Sequence, residues 1–67
     1  MGEKRARGYT FRTYKGDHPP FHVHILKDGV EIGRWDIENQ VPMDRFRLSR
    51  KLRQALREVG YGAKEIG

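Results

Sequence analysis

Phe21-His22-Val23-His24-Ile25-Leu26 alternates in character, Lys27-Asp28-Gly29 follows, and Val30-Glu31-Ile32-Gly33-Arg34-Trp35-Asp36-Ile37 continues beyond it. Alternation at period two places successive side chains on opposite faces of a strand. Asp-Gly between two such runs is the strongest short hairpin signal, because the tight type I′ turn needs positive φ at both central residues. A two-residue loop at Asp28-Gly29 sets Lys27 opposite Val30, Ile25 opposite Ile32 and His22 opposite Trp35. One face then carries Phe21, Val23, Ile25, Val30 and Ile32, and the other His22, His24, Glu31 and Trp35. Gly33 opens an alternative, since an isolated strand glycine often marks a bulge. A bulge there carries Trp35 and Ile37 to the apolar face.

Upstream, Tyr9-Thr10-Phe11-Arg12-Thr13-Tyr14 is rich in aromatic and β-branched residues and predicts a first strand. Lys15 to Pro20 is a loop, because proline has no N–H to donate and restricts the residue before it. Residues 1–8 are expected to be a flexible basic arm. Downstream, Glu38 to Asp44 is a polar connection. Leu48, Leu52, Ala55, Leu56 and Val59 then share one face of a 3.6-residue turn. Ser49 is the expected N-cap, with Asp44 as rival, and Gly60 the expected C-terminal stop. Residues 61–67 form a short tail. The expected fold is α+β, a three-stranded antiparallel meander followed by one C-terminal helix, within a single domain over residues 9–60.

The chain has 67 residues, no cysteine, and 14 Lys+Arg against 9 Asp+Glu, for a formal net charge of +5. Its size allows one small domain with a marginal core and rules out a deep cavity. The missing cysteines exclude disulfides, a thiolate metal site and a cysteine nucleophile. So small a core without staples also raises the prospect of a homodimer. No stretch has the ~20 apolar residues of a membrane span, and no apolar leader follows the first residues, so a cytoplasmic location without membrane is the expectation. The basic balance favours acidic partners, nucleic acid first among them.

Arg45, Arg47, Arg50, Lys51, Arg53 and Arg57 crowd residues 45–57, where no acid occurs. Arg50, Arg53 and Arg57 follow helical spacing and form a ridge. The helix dipole disfavours cations in the first turn, so helix stability does not account for Arg50 and Lys51. Arg47, Arg50, Lys51, Arg53 and Arg57 are therefore the candidate phosphate contacts, of RNA or other nucleic acid. A solvated face, or docking on an acidic partner protein or DNA, explains the same charges.

His18, His22 and His24 lie close together in sequence. On one strand His22 and His24 project side by side. Because histidine as a residue type can exchange a proton at neutral pH, His22 and His24 are the candidate catalytic acid and base for metal-independent RNA cleavage. With His18 they form an alternative zinc site; otherwise no cofactor is expected. A structural role for the imidazoles remains open.

Asp17-His18-Pro19-Pro20-Phe21-His22-Val23 resembles the Pro-Pro-His-Phe-His-Val signature of a small bacterial family of unknown function. Trp35-Asp36-Ile37-Glu38 resembles that family's following strand, and the helix from Leu48 to Val59 occupies the expected place. The resemblance spans residues 9–60 and implies a small α+β module associated with toxin–antitoxin loci, with an acidic antitoxin-like protein as partner. The histidine expected between Pro20 and Phe21 is missing here, and His24 follows His22 instead. Together these readings anticipate an RNA-binding component of a toxin–antitoxin-type module, with ribonuclease activity a candidate.

Overall fold

A computed structural model describes residues 2–16 and 19–62 of the chain. Five strands form one antiparallel sheet in sequential order: β1 (Gly2–Ala6), β2 (Tyr9–Thr13), β3 (His22–Lys27), β4 (Val30–Asp36) and β5 (Val41–Pro42). One helix, α1 (Arg50–Glu58), follows. The α+β class, the meander and the C-terminal helix agree with expectation, but the sheet has five strands rather than three. Among the described residues no helix is long and apolar enough to cross a membrane.

The first extra strand is the expected flexible arm. Arg7 and Gly8 both have positive φ, 52° and 83°, and close a two-residue hairpin that sets Ala6 opposite Tyr9. Gly-Glu-Lys-Arg-Ala has little β-propensity of its own. Backbone pairing with β2 and the packing of Ala6 against the core override that weakness. The second extra strand, β5, lies inside the expected connection and pairs Trp35 with Pro42 and Asp36 with Val41.

The Asp28-Gly29 hairpin forms as expected, with φ of 53° and 79° and Lys27 opposite Val30. The pairing beyond it is corrected. The register shifts between Ile25 and Leu26, so Ile25 faces Gly33, Val23 faces Trp35 and His22 faces Asp36. Ile32 is the extra residue of the bulge. Gly33 is required there because the ring of Phe46 lies against it: an added Cβ would stand 2.2 Å from Phe46 Cδ1. Trp35 consequently joins the apolar face, whereas Phe21, Val30 and Ile32 are exposed.

Tyr9, Phe11, Val23, Ile25 and Trp35 line that face, and Leu52, Ala55, Leu56 and Val59 of α1 cover it. Both caps match expectation. Ser49 Oγ accepts from Leu52 N at 3.2 Å. At the other end Gly60 N donates to Arg57 O and Tyr61 N to Leu56 O, the paired bonds of a Schellman motif, with Gly60 at φ 89°. Asp44 is no cap; it holds Arg34 through two bonds, of 3.0 and 2.9 Å. Part of the expected tail is likewise fixed, since Tyr61 O accepts from Trp35 Nε1 and from Gln40 Nε2.

Candidate functional site: an arginine groove behind a histidine face

Alternation along β3 decides how the candidate residues are distributed. Val23 and Ile25 point towards α1, so His22 and His24 point to the face that no helix covers. The helix arginines belong to the other side of the sheet. The structure thus brings His22 and His24 together and does not bring them to the arginine ridge.

Arg50, Arg53 and Arg57 line one groove of about 700 Å³, with Gln54 on the same helix and Trp35 and Gln40 from the sheet. No acid lines it. Its floor is held in place: Gln40 Nε2 donates to Ile37 O at 2.7 Å and to Tyr61 O at 2.9 Å, and Trp35 Nε1 donates to Tyr61 O at 3.1 Å. These bonds tie the chain after α1 to β4 and the β4–β5 turn. Arg47 and Lys51 are exposed but lie outside the lining. Three arginines on one helix give this groove the chemistry of an oxyanion surface, since a guanidinium suits phosphate. Arg57 is also the only basic residue in the last turn, where it complements the helix dipole. Arg50 has no such compensation, because the first turn has no acid.

The opposite face has a different chemistry. The His22 ring is buried, 8% exposed, and its Nδ1–H is donated to Pro20 O at 2.8 Å. A carbonyl oxygen only accepts, so Nδ1 carries the proton in this bond. Asp36, across the ladder from His22, accepts from Asn39 N and Asn39 Nδ2 at 2.9 and 2.8 Å. The Asn39 bonds first, and His22 to a smaller extent, hold the Asp36 carboxyl below the ordinary carboxylate range. His22 and Asp36 therefore secure the β3 entry and the β4–β5 turn.

His24 is the more open ring. It stands 5.2 Å from His22 and 4.8 Å from Tyr14, edge to face, and its Nδ1 lies 3.2 Å from Glu31 Oε1. Its neighbours across the ladders are Arg12 and Arg34. Each arginine is turned to an acid further out: Arg12 Nε donates to Glu3 at 2.8 Å, and Arg34 grips Asp44. Those contacts hold the Glu3 and Asp44 carboxyls below their usual range, chiefly through the arginine hydrogen bonds. The row Glu3, Arg12, His24, Arg34 and Asp44 is thus close to charge balance, unlike the groove behind it. Sequence reading missed Arg12, Arg34 and Tyr14 as the companions of His24; the cross-strand registers place them there.

His18, the third ligand of the alternative zinc site, lies outside the described residues. Among the described residues no group of three or more His, Asp or Glu side chains could hold a metal ion.

Comparisons with family models, curated proteins and solved structures returned no match to this chain.

Proposed function

We propose that this protein binds nucleic acid, with RNA as the leading ligand, through the groove formed by Arg50, Arg53 and Arg57. The observation that carries this reading is that Arg50, Arg53 and Arg57 line one groove, which among the described residues no carboxylate lines. The formal net charge of +5 adds long-range attraction for a polyanion. In this reading the chain is the RNA-binding component of a toxin–antitoxin-type module, the context that its Pro-Pro-Phe-His-Val resemblance implies.

Binding, rather than cleavage, is what the geometry favours. A ribonuclease needs its acid, base and phosphate contacts around one scissile bond. Here the imidazoles and the arginine ridge lie on opposite sides of the sheet, and the His22 ring is committed to Pro20. The test is binding of labelled single-stranded RNA and DNA of equal length, with product analysis after prolonged incubation without metal. RNA bound and left intact supports the reading. Cleavage that disappears with His24→Ala, or no binding at low salt, overturns it.

A further inference from the structure

The two edges of the sheet are unlike. β5 is two residues long and contains Pro42, which has no N–H to offer a partner strand. β1 is five residues long, carries no proline and ends the sheet. Ala6 pairs with Tyr9 around the two-residue turn, so Ala6, Lys4 and Gly2 exchange backbone bonds with β2 in the alternating antiparallel pattern. The backbone N–H and C=O groups of Glu3 and Arg5 therefore point away from the sheet.

We propose that β1 pairs with β1 of a second copy of this chain, antiparallel about a two-fold axis at Lys4. Charge selects this register. Within β1 only Glu3 and Arg5 carry outward backbone groups, so the hydrogen-bonded registers within the strand set Glu3 against Glu3, Arg5 against Arg5, or Glu3 against Arg5. The first two place like charges directly opposite, which destabilises an antiparallel pair; the third places opposite charges opposite at two symmetric positions. Charged side chains normally guard an edge against its own copies. The Glu-Lys-Arg order of β1 lifts that guard in one register. Glu3 and Arg5 already lie on one face, with Arg5 Nη2 3.2 Å from Glu3 Oε2, so the two copies would build a four-membered ion cluster. The Lys4 pair at the axis is the like-charge contact. Each Lys4 is drawn back over its own helix end, where Nζ donates to Val59 O at 2.9 Å and sits 4.8 Å from the Tyr61 ring centroid.

The two-fold axis runs perpendicular to the joined sheet and leaves both helices on one side. Both arginine grooves then face the same way, a consequence that rests on the nucleic-acid reading. The pairing itself does not, and its test uses no nucleic acid.

The experiment is sedimentation of the full chain at increasing concentration, wild type against Glu3→Lys and Arg5→Glu, with folding of each verified by circular dichroism. Wild type self-associates. The first variant has an all-basic edge and the second an all-acidic one, so each stays monomeric alone and the equimolar mixture forms dimers. A wild type that remains monomeric at about 1 mM, variants that associate as wild type does, or folded variants whose mixture stays monomeric would each overturn the proposal. A second readout needs no substitution. In a mixed sample of isotope-labelled and unlabelled wild type, the Lys4 Hα atoms of the two copies give an intermolecular NOE, because the non-hydrogen-bonded pair is the close one. Intermolecular NOEs only from other segments also overturn it.

Discussion

The ring of Phe46 occupies the space that a side chain at Gly33 would need, with its Cδ1 2.2 Å from where a Cβ would lie. The bulge at Ile32 lies beside this contact and turns Trp35 onto the apolar face. Gly33→Ala is expected to destabilise by about 1–3 kcal/mol, the usual cost of overpacking. Adding Phe46→Ala to Gly33→Ala should cost less than the sum of the two single changes, since the clash is gone. Denaturant titration of the four proteins in the cycle checks this; additive costs would mean that Phe46 does not hold Gly33.

The helix ends carry a second prediction. Ser49→Ala removes the acceptor of the Leu52 N–H and is expected to cost about 0.5–2 kcal/mol. Gly60→Ala forces a Cβ into a φ of 89° and should cost roughly 1–2 kcal/mol. Thermal melts of both variants, with nucleic-acid binding measured at a temperature where each is folded, separate stability from function: binding should be unchanged.

Acid should weaken the fold through Asp36, Asp44 and Glu3. Their folded pKa values lie below the ordinary values of 3.8 for Asp and 4.5 for Glu, owing to Asn39, Arg34 and Arg12 in turn. The unfolded chain binds protons more readily there, so stability is full above the unfolded values and falls as pH drops through the folded ones. Urea midpoints at pH 7 and pH 3 measure the loss. Asp36→Asn should lower the pH 7 midpoint and shrink the difference between the two; an unchanged difference would show that the Asn39 contacts contribute no pH-dependent stability.

The two histidines should behave differently on substitution. His22→Ala removes a buried ring and its bond to Pro20 O, and is expected to cost more than 1 kcal/mol by loss of packing and of that bond. His24→Ala, on the open face, should cost less than about 1 kcal/mol. Denaturation curves rank them, and neither change should weaken nucleic-acid binding when the protein is folded. Loss of binding in folded His24→Ala would move the ligand to the histidine face.

Much of this fold was legible from local chemistry. Asp28-Gly29 named its hairpin, the Leu52, Ala55, Leu56 and Val59 spacing named the helix face, and Ser49 and Gly60 named its ends. What escaped was decided by contacts between distant residues. Gly2–Ala6 has no β pattern and becomes a strand only because β2 offers its edge. Arg7-Gly8 closes a hairpin without the Asn or Asp that usually signals one. Gly33 offered the bulge as one of two registers, but the choice between them could not be read locally: the Phe46 ring that lies against Gly33 is 13 residues away. The candidate site divides in the same way. The arginine ridge was readable from helical spacing, and the histidine pair from strand spacing. Their separation was not, because it follows from which face α1 covers.

The most direct test of the nucleic-acid reading is the salt dependence of single-stranded RNA binding, followed by fluorescence anisotropy, for wild type and for Arg50→Gln, Arg53→Gln and Arg57→Gln combined. If the three arginines neutralise three phosphates, the combined variant should lose roughly 2 units of slope in log affinity against log salt, at ~0.7 per phosphate on a single strand. It should also bind far more weakly at low salt while remaining folded. A folded triple variant with wild-type affinity and slope would contradict the account.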